Sequence, residues 1–210
     1  MHMTAMVSEL IQMGKAKTRA ILNTREYHTE AELVLFYKAQ VLSYIEYRTA
    51  AINHCTSELC DDLEKVQSDF LRASNIQSEV ALIAHNLAPL ESRRDMAMLG
   101  IIHRAALRWG PIHVHAYFRR LPSSTLLEFR HGAAPYTSAF RPRAITLLTN
   151  TILGLIPVYN RLQEDWRRAN VSDFQSYLAE EVRSLHRIGV NVWAATFCPR
   201  RLARDLDAVR

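Results

Sequence analysis

The sequence predicts an all-α protein, a helical bundle of about seven to nine helices in one or two lobes. Three observations carry this expectation. Apolar residues recur at three- and four-residue spacing along most of the chain, the period of one helix face. Only six glycines and seven prolines occur among 210 residues, and most lie between Pro111 and Pro157. Ser or Thr stands three residues before Glu, Asp or Gln ahead of several apolar stretches, the signature of a helix start. A chain of this length buries roughly 70% of its unfolded surface, enough for one sizeable core or two small ones.

The elements follow in order. A first helix is expected over residues 4–22, with Leu10, Met13, Lys17 and Ile21 sharing a stripe. Thr29 and Glu32 form a capping box that opens a second helix through Tyr47. Its Leu33, Phe36, Tyr37, Val41, Tyr44 and Ile45 would face the core, while Leu35 and Leu42 lie outside that stripe, as in a helix buried on two sides. Its tyrosines are better read as core than as a stacking platform for bases. A third helix spans about Ser57–Ala73, and a short fourth spans 78–84. Pro89 breaks the chain, Ser92 with Asp95 caps a fifth helix through Arg108, and Gly110-Pro111 ends it. Residues 114–121 are apolar, and 122–142 read as a polar loop. A helix over 143–153 is closed by Gly154 and Pro157, and 158–168 form another, with Tyr159, Leu162 and Trp166 on one face. Ser172 and Gln175 make a second capping box, opening a helix striped by Phe174, Leu178, Val182 and Leu185. Residues 190–197 fit a short strand or a last helical turn. The loop 122–140 divides the chain into lobes 1–121 and 141–210.

Composition excludes several classes. No run approaches the roughly 20 apolar residues that span a bilayer, and Glu9, Lys15 and Lys17 interrupt any secretory h-region. The expectation is an intracellular protein of cytoplasm or nucleus, neither secreted nor membrane-bound. Cys55, Cys60 and Cys198 are too sparse for a disulfide framework and are expected as reduced, buried thiols. With His54, His113 and His115 they make a poor zinc set, since structural zinc needs four ligands in short paired spacings. No metal and no cofactor is expected. Ser123, Ser124 and His131 lack the spacing of a nucleophile with its base, and no glycine-rich phosphate loop occurs.

Five short patterns stand in one order. They are Leu35-Phe36-Tyr37-Lys38 through Ile45-Glu46-Tyr47; then Leu63-Glu64-Lys65-Val66-Gln67 with Phe70-Leu71-Arg72; then Leu87, Leu90, Arg93 and Arg94 continued by Met98-Leu99-Gly100; then Tyr159-Asn160-Arg161-Leu162; and last Phe174-Gln175-Ser176-Tyr177-Leu178. In that order the chain resembles the region following the catalytic palm in reverse transcriptases of non-LTR (LINE-like) retrotransposons. The resemblance implies a thumb and post-thumb region, thumb-like over 1–121, from an RNA-directed DNA polymerase whose chemistry lies upstream. One departure bears on activity. Such polymerases hold two Mg²⁺ ions on palm carboxylates, usually at an aromatic-x-Asp-Asp turn between apolar strands. The only Asp-Asp pair here, Asp61-Asp62, follows Leu59 and precedes a helical stripe of Leu63, Val66 and Phe70. It reads as acid in the first turns of a helix, where the macrodipole favours it. The chain is therefore expected to be non-catalytic by itself.

Charge is unevenly placed. Residues 1–90 hold eight Lys and Arg against eleven Asp and Glu, net −3; residues 91–210 hold eighteen against ten, net +8, and all eighteen are Arg. Guanidinium groups grip phosphate bidentately and stack on bases. Arg93 and Arg94 stand at a helix start, where backbone N–H groups favour anions, and the resemblance places that helix near the primer-template duplex. Arg93 and Arg94, extended by Arg104 on roughly the same face, are the candidate nucleic-acid-binding residues. The competing reading pairs Arg93 or Arg94 internally with Glu91, Asp95 or an acid of the third helix. Two functional classes follow. One is a fragment that binds RNA–DNA or DNA duplex through phosphates without sequence preference. The other is a helical interaction module or inactive relic that packs on a palm domain or on itself.

Overall fold

The computed structural model describes residues 3–52, 55–110, 112, 118–120, 136–138 and 152–187. It is all-α, with helices in the expected number among the described residues. Two compact units divide inside one helix, at Arg94 and Asp95. The lobes expected from the sequence were set elsewhere, and most of the loop on which they depend lies outside the described residues.

In the first unit, α1 (Met3–Leu22) lies along α4 (Ser57–Ala73). The buried stripe of α1 is Val7, Leu10, Ile11, Thr18 and Ile21. Met13, expected to share a stripe with Leu10, Lys17 and Ile21, is on the exposed side. The reason is Gly14, which occupies the core line between Leu10 and Ile21: a Cβ there would stand 3.3 Å from Val66 Cγ1, so its bare backbone lets α4 approach. On α4, Leu63, Val66 and Phe70 are buried as the periodicity requires, joined by Cys60, Gln67 and Leu71. Asn75 ends this helix in the left-handed conformation (φ 57°), and the following Ile76 N–H donates to the Leu71 carbonyl, capping the last turn.

The capping box that opens α2 (Glu30–Tyr37) is present, with Thr29 N–H donating to Glu32 Oε2 at 2.8 Å and Glu32 N–H to Thr29 Oγ1 at 3.4 Å. The helix then continues through a π-helical stretch, Lys38–Leu42, into Ser43–Glu46. This stretch shifts the phase of the apolar stripe. Leu42 is consequently buried beside Val41 and Ile45, whereas Leu35 is 61% exposed, so the helix is not buried on the second side expected from these two leucines. Tyr37 stacks on Phe70 with ring centroids 4.2 Å apart. A short α3 (Thr49–Ile52) and α5 (Ser78–Ile83) complete the unit together with the start of α6 (Leu90–Ala106).

In the second unit, α6 ends at Ala106, two residues before the expected limit. Arg108 takes the left-handed conformation (φ 60°), and Trp109 N–H donates to the Arg104 carbonyl at 2.9 Å, so the stop precedes Gly110-Pro111. From the apolar stretch 114–121, β1 (Phe118–Arg120) pairs antiparallel with β2 (Tyr136–Ser138) inside the stretch read as a loop, Arg119 opposite Thr137. The helix expected over 143–153 falls almost wholly outside the described residues, apart from a 3₁₀ turn, Ile152–Leu155. The helix expected over 158–168 is two helices, α7 (Ile156–Arg161) and α8 (Glu164–Arg168), separated by extended backbone at Leu162 and Gln163. Pro157 sits in the first turn of α7, where a missing N–H costs nothing. α9 (Val171–Arg187) starts two residues earlier than the predicted box would set it. Asn170 Oδ1 accepts from Asp173 N–H (2.9 Å), and Asn170 Nδ2 donates to Asp173 Oδ2 (2.8 Å). Phe174, Leu178 and Val182 are buried as predicted, while the Leu185 side chain and residues 190–197 lie outside the described residues. No helix among the described residues is long and apolar enough to cross a membrane.

Candidate nucleic-acid interface

Ser92 and Asp95 do not cap α6. The helix begins two residues earlier, after Pro89, and its first N–H groups are satisfied from α4: Leu90 N–H donates to Glu64 Oε1 and Glu91 N–H to Glu64 Oε2, each at 3.0 Å. A helix N-terminus attracts an anion, and here the anion is the protein's own carboxylate. Burial pushes the Glu64 carboxyl above the usual carboxylate range. The Arg94 guanidinium and the two backbone N–H groups pull it back, and Glu91 opposes them.

Arg93 and Arg94 are both engaged near this carboxylate. Arg93 forms a two-pronged pair with Glu46, Nε donating to Oε1 and Nη2 to Oε2 at 3.1 Å. Arg94 is 6% exposed, and its Nη1 has no hydrogen-bond partner among the described residues. Tyr37 stands over the same acids: burial, then Glu64, then Glu46, push its phenol well above the ordinary tyrosine range, while Arg93 opposes. The neighbouring Lys38 donates to the His85 carbonyl, and burial followed by the Arg93 charge holds its ammonium below the usual lysine range. Gln67 closes the cluster by donating to the Ala88 carbonyl at 3.0 Å. Arg93 is thus paired internally, though with Glu46 of the second helix and not with Glu91, Asp95 or an acid of the third helix, while Arg94 acts on Glu64 of the third helix through its charge.

Arg104 differs from both. It is exposed, as is Arg108 one turn on, and Trp109 between Arg108 and the chain's Gly110 is 72% exposed. Two guanidinium groups and an indole are thus exposed within six residues, on the last turn of α6 and its cap. Backbone-tracking nucleic-acid sites combine these same two chemistries, cations for phosphate and a flat ring for a base. Trp109 belongs to none of the patterns read from the sequence. The signal available was a tryptophan at a helix end with arginines one and five residues before it.

Deeper in the second unit lies a neutral polar centre. His103 is fully buried on α6 and stacks on Phe174, ring centroids 4.0 Å apart and nearly parallel. One ring nitrogen faces the Ala169 carbonyl at 2.9 Å, which requires Nε2–H as donor. Nδ1 then accepts from the Tyr159 hydroxyl at 3.0 Å. Burial holds its imidazole below the ordinary histidine range, partly offset by the Ala169 bond.

Asp61 and Asp62 lie in the first turns of α4, and Asp62 pairs with Lys65 at 2.7 Å. No group of three metal-ligating side chains occurs among the described residues. No family model, no curated protein and no solved structure matches this chain.

Proposed function

We propose that this chain is a non-catalytic helical module that binds nucleic-acid backbone without sequence preference, as the thumb and post-thumb part of a LINE-like reverse transcriptase would. The observation that carries the reading is the segregation of charge: net −3 over residues 1–90 and net +8, entirely from arginine, over 91–210. The exposed Arg104, Arg108 and Trp109 support it by offering phosphate and base contacts at one helix end. Arg93 and Arg94 then act within the fold, anchoring α2 and α4 to the start of α6, and Arg104 is the member of the original set directed at a ligand.

The test is fluorescence anisotropy of a labelled RNA–DNA hybrid across a salt series, with the wild-type chain and with Arg104→Ala/Arg108→Ala. Each contacted phosphate contributes about −0.9 to the log–log salt slope on a duplex, so the double variant should flatten it by close to two such increments. Absence of binding at low salt would end this reading. It would leave the second one, an interaction module, which the exposure of Leu35 and Tyr47 on and after α2 favours. Concentration-dependent self-association in analytical ultracentrifugation, lost in Leu35→Glu, would then be expected.

A further inference from the structure

We propose that Cys55 and Cys60 form a two-thiol modification site that closes to a disulfide when the chain meets a low-molecular-weight disulfide such as oxidised glutathione. The sulfurs already face each other, Sγ to Sγ 3.3 Å, inside the first unit's core. The local backbone explains why. Cys55 N–H donates to the Ile52 carbonyl at 3.0 Å, turning the chain after α3, and Cys60 N–H donates to the Thr56 carbonyl at 3.1 Å, starting α4. The six residues thus make a hook whose two ends carry the thiols. A disulfide needs its sulfurs at about 2.05 Å, so little more than 1 Å of approach remains. Cys55 stands outside any helix and can supply that movement by side-chain rotation.

The chemistry balances in two exchanges. The Cys55 thiolate attacks one sulfur of the small disulfide, forming a mixed disulfide and expelling one thiolate. Cys60, having lost its proton, attacks Cys55 Sγ and expels the second. The two protein thiols give up two electrons and two protons, and the small disulfide leaves as two thiols. Closure would pin the connector after α3 to the first turn of α4, whose Leu63, Val66 and Phe70 form the middle of this unit's core. The oxidant would therefore act on the stability of the first unit. The readout needs no nucleic acid and stands apart from the binding proposal.

The test uses the full chain carrying Cys198→Ser, so that only this pair reacts. The chain is equilibrated in glutathione buffers of graded ratio, acid-quenched and alkylated, and the peptide spanning both cysteines is weighed. In the folded chain the pair should behave as one two-electron couple, with the peptide losing two hydrogens and returning on addition of dithiothreitol. Its equilibrium constant for closure should exceed that of the urea-unfolded chain by at least tenfold, a potential more negative by about 30 mV. Cys55→Ser and Cys60→Ser should each stop at one glutathione adduct. Equal constants folded and unfolded would overturn the proposal, because the fold would then contribute nothing beyond chain proximity. So would accumulation of singly or doubly glutathionylated wild-type pair without closure.

Discussion

Two polar centres sit on successive stretches of α6, one in each unit, and they solve the problem of buried polarity in opposite ways. The centre at the helix start is ionic: Glu64 caps the N-terminus, with Arg94 beside it and the Arg93–Glu46 pair next in line. It leaves polar atoms without partners among the described residues, including Tyr37 Oη, Ser92 Oγ and Arg94 Nη1. The centre around His103 is neutral, and both ring nitrogens are bonded. Burying charge is expensive and is offset only by near-complete pairing, whereas a bonded neutral ring carries little such cost. The ionic centre should therefore be the more sensitive to truncation, and the neutral one the more sensitive to acid.

The sharpest way to break the comparison is Arg94→Ala, which leaves Glu64 buried without its nearest positive charge. It should cost about 3 kcal/mol, read as faster hydrogen exchange of α4 amides. Adding Glu64→Gln should recover much of that loss, because it removes the charge that Arg94 offsets. If the single substitution is neutral, the ionic centre is not what anchors α6. Next in size is His103→Phe, which keeps an aromatic ring against Phe174 but deletes both hydrogen bonds, for about 2 kcal/mol. All three tryptophans, Trp109, Trp166 and Trp193, belong to the second unit, so urea unfolding followed by tryptophan fluorescence reports this change selectively.

Acid separates the centres by sign. The His103 imidazole is held below its ordinary value in the folded chain, so its contribution is complete above about pH 6.5 and is lost as pH falls toward the folded value. The Glu64 carboxyl is raised, so its contribution is present below its ordinary value of 4.5 and is lost as pH rises through the folded value. The tryptophan-detected midpoint should thus decline below about pH 6.5, and His103→Phe should abolish that slope. An unchanged slope in the variant would assign the acid sensitivity to another group. The smallest effect belongs to Arg93→Ala. Its pair with Glu46 is partly exposed, so the loss should be about 1 kcal/mol or less, with no change in the salt slope of nucleic-acid binding.

The same contrast shows what was legible in the sequence. Signals contained within one element were mostly readable: the Thr29–Glu32 box, the Leu63-Val66-Phe70 stripe and the Phe174-Leu178-Val182 stripe all stand as expected, although Asn170 and not Ser172 opens the last helix. Failures came where the deciding partner is distant in the chain. Ser92 looked like a cap, but the cap arrives from Glu64, 26 residues upstream of Leu90. Arg93 looked available to phosphate, but Glu46 lies 47 residues before it. Met13 looked like a member of the stripe with Leu10, Lys17 and Ile21, but the position facing Val66 belongs to Gly14. For the candidate site the sequence offers charge and not geometry: the arginine excess is readable from it, and only burial separates the exposed Arg104 from Arg93 and Arg94.

The π-helical stretch at Lys38–Leu42 can be viewed as α2 carrying one residue more than a regular helix would. Deleting a single residue there would restore an unbroken α-helical ladder and improve the local hydrogen bonding. It would also turn everything after the deletion by about 100° relative to everything before it. Leu33, Val34 and Tyr37 would keep their places, while Val41, Leu42 and Ile45 would rotate off the core and Glu46 would swing away from Arg93. The irregularity thus acts as a spacer in register, and a shortened chain with a better helix would have a worse protein.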